Sequence, residues 1–264
     1  MPPNHNCATT ALSSWGAEWA HTMLDRCPMG DDVQRYLESE GGSEVARGLS
    51  LALGLGAFLV VACVVTELWR NMLGPATTAL IDAPILSWIV SHRVDWLAAP
   101  MRQITRLGSE GFLLIVVIIA GSILRRRTGS WAPLLILVAI AVGAVAIERV
   151  VKFVIARPRP PVTWLVSESG WSFPSGHATR SAAVYCGAAR LITRLRAFGQ
   201  RTQMILWGLA AILTFLVGTS RVYLGVHWPT DVVGGWILAA GWVWIVFLAT
   251  ASAGGSSAVD GGDC

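Results

Sequence analysis

Apolar residues run in long blocks along this chain, separated by short polar stretches rich in arginine. A helix that crosses hydrocarbon needs about 20 mostly apolar residues. Six segments approach that pattern: Gly48–Leu68, Gly111–Leu124, Trp131–Phe153, Ala178–Leu195, Gln203–Thr219 and Val232–Thr250. The second is short, which predicts extension back toward Thr105, a tilt against its neighbours, or a re-entrant piece. The fourth is the least apolar and carries Arg180, Arg190 and Arg194. The pattern predicts an all-α, polytopic membrane helix bundle of about six transmembrane helices. It would occupy residues 48–250, between a polar cytoplasmic segment over 1–47 and a Gly/Ser-rich, disordered tail over 251–264. No repeat of fixed period and no second soluble domain interrupts it.

An even number of spans puts both termini on one side, and the positive-inside rule selects that side. Arg125, Arg126 and Arg127 follow the second span, and Arg190, Arg194, Arg196 and Arg201 surround the end of the fourth. Both groups belong in the cytoplasm, so the connections after spans three and five face outward. Between spans one and two, Leu86, Ile89, Val90 and Leu97 recur at helical spacing, which predicts a helix lying along the membrane surface.

Composition agrees with a lipid-facing surface. The 264 residues are 54% hydrophobic but only 14% charged, against about a quarter charged in a soluble domain. The net charge of +4 does not suggest nucleic acid, because the arginines stand at the ends of apolar runs, where flanking charges meet headgroups. The five cysteines form no CxxC pair, so neither a disulfide framework nor a zinc site is expected. The polar N-terminus holds no short apolar core with a cleavage site, and no signal peptide is expected.

Three polar tracts interrupt this picture. The first is Lys152-Phe-Val-Ile-Ala-Arg157-Pro-Arg159-Pro160, the second Pro174-Ser175-Gly176-His177, and the third Ser220-Arg221-Val-Tyr-Leu-Gly-Val-His227-Trp-Pro-Thr-Asp231. Together they supply cations, two histidines, a carboxylate, a hydroxyl and a glycine N–H. Phosphoryl transfer asks for that set: neutralised phosphate oxygens, an aimed nucleophile and a protonated leaving oxygen. Arginine can bind two oxygens at once. Pro174–His177 precedes the fourth span, where a helix N-terminus would aim free N–H groups at an anion. Pro229 suits the first turn of the sixth span, leaving His227 just before it and Asp231 just inside. A carboxylate so placed could hold one ring nitrogen as N–H and leave the other free to attack.

On these residues the chain resembles the type-2 phosphatidic acid phosphatase superfamily, which also includes vanadium haloperoxidases and bacterial acid phosphatases. The family pattern K-x6-RP, PSGH, SR-x5-H-x3-D is present complete and in order between Lys152 and Asp231. The tract Ile104-Thr-Arg-Leu-Gly-Ser109 resembles a further family segment more weakly. The resemblance implies His227 as nucleophile and phosphohistidine, Asp231 as its orienting carboxylate, and His177 as general acid and then base. Lys152, Arg159, Ser175, Gly176 and Arg221 would bind the phosphoryl oxygens. It implies no cofactor and no metal.

Arg157 repeats the Arg-Pro pair and reads as a headgroup contact or a solvated flanking charge. Arg180 lies three residues after His177, on the same helix face. It reads either as a partner of a carboxylate such as Glu148 or as a contact to a second phosphate. Glu148 and Arg149, one turn before Lys152, read as a supporting network. Gly234, Gly235, Ala239 and Gly241 read as small residues that let helices approach.

The expected activity is hydrolysis of a lipid phosphomonoester or diphosphate at the outer face of the plasma membrane. Phosphatidate, phosphatidylglycerol phosphate and polyprenyl phosphates are candidates, with polyprenyl diphosphate favoured through Arg180. The partners expected are the bilayer and its phosphorylated lipid. A phosphotransferase would share the first half-reaction, and a non-catalytic phospholipid-binding protein would need no general acid. The sequence is silent on oligomeric state.

Overall fold

The structure is a computed structural model that describes residues 78–194 and 199–255. The predicted span Gly48–Leu68, the polar segment before it and the chain beyond Gly255 lie outside the described residues. All regular structure within them is helical. A π-turn over Thr78–Asp82 leads into α1 (Ala83–Ser91), followed by α2 (Asp95–Arg106), α3 (Glu110–Thr128), α4 (Ala132–Ile155), α5 (Gly176–Arg194), α6 (Gln200–Tyr223) and α7 (Pro229–Gly255).

Local chemistry sets these boundaries. The Ser109 side chain caps α3 by accepting from the Phe112 N–H at 3.4 Å. Glu110 in the first turn and Arg125–Arg127 in the last complement the helix dipole. Gly129 then ends the helix in the left-handed region at φ 70°. Proline opens both α4 and α7, where its missing N–H costs nothing.

Helices α4, α6 and α7 are long and apolar enough to cross a membrane, and α2 with α3 makes a fourth candidate bent by 50°. That bend accounts for the short second segment of the sequence: α2 continues it through the Leu107–Ser109 break, as a broken span or a re-entrant loop. The helix predicted between spans one and two is two helices, because His92–Val94 interrupts the periodicity. α1 is no mere surface helix. Its Leu86 is buried among Ala178, Val222, Trp228 and Val232.

The helix that falls short on apolarity, α5, is the centre of the bundle. Twelve of its nineteen residues are buried, and α3, α4, α6 and α7 all pack on it. A helix enclosed by protein needs small residues for close approach rather than a lipid-compatible surface, which is why Ala, Gly and Ser dominate it. A Cβ on Gly187 would sit 2.8 Å from Ile140, and one on Gly235 in α7 would sit 2.7 Å from the Thr179 hydroxyl. Gly241, expected to do the same, faces open space instead.

Candidate phosphate-binding site

Four helix ends meet on one side of the bundle. Lys152 stands in the last turn of α4, Gly176 and His177 open α5, Arg221 closes α6, and Asp231 lies in the first turn of α7. Arg159 comes from the connection between α4 and α5. Ala156 at φ 48° turns the chain out of α4. Backbone bonds then pin this connection down: Ser172 N–H to Arg157 C=O at 2.8 Å, Ser175 N–H to Asp231 C=O at 3.0 Å, and Leu165 N–H to Leu224 C=O at 3.0 Å. Gly225, at φ 78°, turns α6 into the His227 segment. A side chain there would also meet the Arg93 guanidinium at 2.5 Å.

His227 is fully enclosed and its two ring nitrogens face different surroundings. Nε2 lies 3.3 Å from Nη1 of Arg159. Nδ1 lies 3.5 Å from Oδ2 of Asp231, long for a hydrogen bond but close enough to orient the ring. Asp231 is itself held by the Trp228 N–H at 2.9 Å and by the Ser172 hydroxyl. Burial pushes the His227 pKa down to about 4. Asp231 opposes that fall and the charge of Arg221 adds to it. The ring is therefore neutral near pH 7, with Nε2 turned toward the cations and Nδ1 toward the carboxylate.

Around Nε2 the cations are fixed individually. Arg159 donates to the carbonyls of Val226 at 2.7 Å, Ser169 at 2.9 Å and Gly170 at 3.0 Å. Burial lowers its pKa, partly offset by Glu168, Asp231 and Glu148. Arg221 is 2% exposed and donates to the Thr105 hydroxyl at 2.9 Å. The Lys152 ammonium lies 2.8 Å from Oε1 of Glu148. His177 stands within electrostatic reach of Arg221, Arg180, His227 and Lys152. The Ser175 hydroxyl is buried and has no hydrogen-bond partner among the described residues. A Cβ on Gly176 would fall 2.3 Å from Oε1 of Glu148, so only glycine fits between that carboxylate and the start of α5. The three tracts thus form one pocket of cations and N–H groups around a neutral imidazole, an arrangement suited to a tetrahedral oxyanion.

The two ambiguous arginines are both committed to carboxylates. Arg157 is buried, and it bridges Asp231 and Asp82 at 2.6 Å each while also donating to Thr230 and Thr78. It is neither a solvated flanking charge nor exposed to a headgroup. Arg180 pairs with Glu110 and lies 3.4 Å from Oε2 of Glu148. The paired reading of Arg180 is the one this geometry contains.

Four participants had no assigned place in the sequence reading. Glu168 reaches into the pocket, pairing with Arg221 and lying 3.7 Å from Arg159. Burial would raise its pKa, but Arg221 and Arg159 outweigh burial and hold it below the usual carboxylate range. Glu110 holds Arg180, and Asp82 holds Arg157. Asp82 was detectable as an acid inside the apolar run 79–90. Thr105 was half visible, since it lies in the tract 104–109. The bend brings that tract to the site, where a Cβ on Gly108 would touch His177 at 3.2 Å. Among the described residues no group of three or more His, Cys, Asp or Glu is placed to hold a metal ion.

Fold and site together define an all-helical membrane protein with a buried histidine set among cations at the helix ends. The chain belongs to the PAP2 superfamily, whose family model matches residues 132–253. It is 37% identical over 183 residues to phosphatidylglycerophosphatase B of Bacillus subtilis (strain 168), covering 69% of this chain and 86% of that protein. It is 28% identical over 197 residues to an undecaprenyl-diphosphatase of Sulfolobus acidocaldarius, covering 72% and 87%. The crystal structure of the transmembrane PAP2-type phosphatidylglycerolphosphate phosphatase from Bacillus subtilis superposes with a TM-score of 0.65 at 31% identity, over 74% of this chain and 95% of that one. Aquifex aeolicus LpxE, at 22% identity and a TM-score of 0.50 over 63% and 94%, shares the fold.

Proposed function

We propose that this chain is an integral-membrane phosphatase that hydrolyses the phosphomonoester or diphosphate of a membrane lipid through a phosphohistidine. The carrying observation is the orientation of His227, with Nε2 among the cations and Nδ1 on Asp231. The Nε2 lone pair attacks phosphorus in line, and the bond from phosphorus to the leaving oxygen breaks. That oxygen takes its proton from His177. Neutral His177 then removes a proton from water, the water oxygen attacks phosphorus, and the P–N bond breaks to release phosphate. Lys152, Arg159, Arg221, Ser175 and the Gly176 N–H stabilise the equatorial oxygens in both steps.

A lipid substrate is supported by the surroundings as well as by the relatives. A cavity of about 270 Å³ between α3, α4 and α5 is lined by Leu113, Leu114, Val142 and Val184, with Glu110 and Arg180 among its walls. It opens on the α5 face that carries His177 and suits a hydrocarbon tail entering from the bilayer. The two named relatives act on a phosphatidylglycerol phosphate and on a polyprenyl diphosphate by their names, and both classes remain candidates here. Because Arg180 is occupied by two carboxylates, the diphosphate candidate now rests on the Sulfolobus relative. The positive-inside argument supports a site on the outer face of the plasma membrane, with the termini in the cytoplasm.

The test is His227→Ala, which should abolish phosphate release from labelled lipid without unfolding the protein. Alkaline quenching of wild type during turnover should trap label on His227. Residual turnover above about a tenth of wild type would remove His227 as the nucleophile. Adding lipid alcohols during turnover separates hydrolysis from transfer, since a transferase would yield a newly phosphorylated lipid.

A further inference from the structure

A second and larger cavity, of about 750 Å³, lies between α5, α6 and α7. This is within the ~300–1,000 Å³ range of small-molecule sites. It is distinct from the tail slot beside the phosphate pocket. At 100° per residue, Ala182 and Cys186, which line it, fall on the side of α5 away from His177, Arg180 and Val184. Its walls are apolar and largely aromatic, with Trp207, Trp236 and Phe247 among them. Its charged lining residues are Arg190 and Arg194, in the last turns of α5 and therefore at the end of the bundle remote from Lys152 and His227.

Those two arginines differ from the ones at the other end of the bundle. Every guanidinium of the phosphate pocket meets a carboxylate, whereas neither Arg190 nor Arg194 does so among the described residues. They stand four residues apart on one helix, where like charges repel. Both are drawn over the same ring, with Cζ 5.7 Å and 4.9 Å from the centroid of Phe247, which itself lines the cavity. Both side chains are exposed. These are folded over the mouth of an apolar slot, where a bridging anion would relieve their repulsion.

We propose that this cavity binds one anionic phospholipid from the leaflet opposite the phosphate pocket. Its phosphate bridges Arg190 and Arg194, and an acyl chain lies in the slot along Trp207 and Trp236. The ligand is a bound lipid and not a substrate, because the slot's arginines lie in the last turns of α5, at the end opposite His177 and His227.

Native mass spectrometry of detergent-purified, delipidated protein tests this. The probes are phosphatidylglycerol and phosphatidylcholine with identical chains, with vanadate present throughout to occupy the catalytic pocket. One phosphatidylglycerol per chain should be retained in preference to phosphatidylcholine. The double variant Arg190→Gln/Arg194→Gln should reduce that preference by about thirtyfold, at roughly fivefold per interfacial arginine. Ala240→Phe, which fills the slot, should expel both lipids. Release of phosphate from a soluble aryl phosphate should be unchanged in both variants, which separates this site from the catalytic one. Equal retention of the two lipids, a preference that survives the double variant, or retention in Ala240→Phe would each overturn the proposal.

Discussion

Arg157 is the residue whose replacement tests the architecture most directly. Its guanidinium is 6% exposed and joins two fully buried carboxylates, Asp82 and Asp231, at 2.6 Å each. It adds bonds to Thr230 at 2.8 Å and Thr78 at 2.9 Å. Arg157→Leu keeps the bulk near Trp228 but leaves both carboxylates without a cation. Breaking a buried pair from one side costs about 3–5 kcal/mol. The carboxylates retain other donors, namely Ser172 and Trp228 N–H on Asp231 and Thr230 on Asp82, so the total should stay within that range. Against a stability of about 5–15 kcal/mol the protein still folds. Arg157→Lys retains the charge, but a compact ammonium cannot serve four oxygens on two sides, so it should lose about half as much. Asp231 also aims His227, and misplacement by about 1 Å costs about a hundredfold in rate. Chemical denaturation in detergent and initial rates on a lipid phosphate measure both effects. Arg157→Leu/Asp82→Asn should recover part of the stability lost by Arg157→Leu alone, because one orphaned charge is gone. An Arg157→Leu protein within 0.5 kcal/mol of wild type and with normal kcat would refute the reasoning.

Three further outcomes follow from the site. The folded pKa of His227 is lowered from 6.5 to about 4. Its contribution to stability is therefore present above pH 6.5 and is lost as pH falls through about 4, on the order of 3 kcal/mol in all; His227→Asn should flatten the stability curve in that window, and parallel curves would contradict the burial argument. Glu168→Gln removes the anion that sits on Arg221 and near Arg159. Vanadate should then inhibit at about tenfold lower concentration, given the strength of charge-assisted pairing, and weaker inhibition would show that Glu168 holds the cage open instead. Gly176→Ala drives a Cβ to 2.3 Å from the Glu148 carboxylate that positions Lys152; kcat should fall at least about tenfold, and a wild-type kcat would show that Glu148 can yield.

Motif spacing made the cationic pocket legible, because residues fixed at helix ends converge whenever the helices pack. His227 and Asp231 are four apart at the start of α7, and Gly176 and His177 open α5. What spacing could not reveal is which carboxylate meets which cation. Glu168 lies in a polar connection that reads as solvated until bonds from Ser172, Ser175 and Leu165 fold it onto the site. Asp82 lies about 150 positions from Asp231, and only packing joins them through Arg157. The low apolarity of α5 has a related reason. Apolarity measures compatibility with lipid, and α5 meets mostly protein.

These carboxylates also explain how five cations can stand together at the end of a membrane bundle. Lys152 faces Glu148, Arg157 faces Asp82 and Asp231, Arg180 faces Glu110 and Glu148, and Arg159 and Arg221 share Glu168. A buried charge without a partner is costly, so this pairing keeps the pocket near neutrality before substrate arrives. The pairs differ in how easily they can part. Asp82, Asp231 and Glu148 are buried on helices or in the π-turn, and they hold their cations rigidly. Glu168 is partly exposed, sits on a connection, and is the one carboxylate that reaches both Arg159 and Arg221. In the proposed reaction an arriving phosphoryl group would compete with it for those same N–H donors. Displacing Glu168 exchanges one anion for another on the same two cations, whereas displacing Asp82, Asp231 or Glu148 would require moving a buried carboxylate. On the proposed mechanism substrate would therefore enter on the Arg159–Arg221 side, where Nε2 of His227 lies 3.3 Å from Arg159.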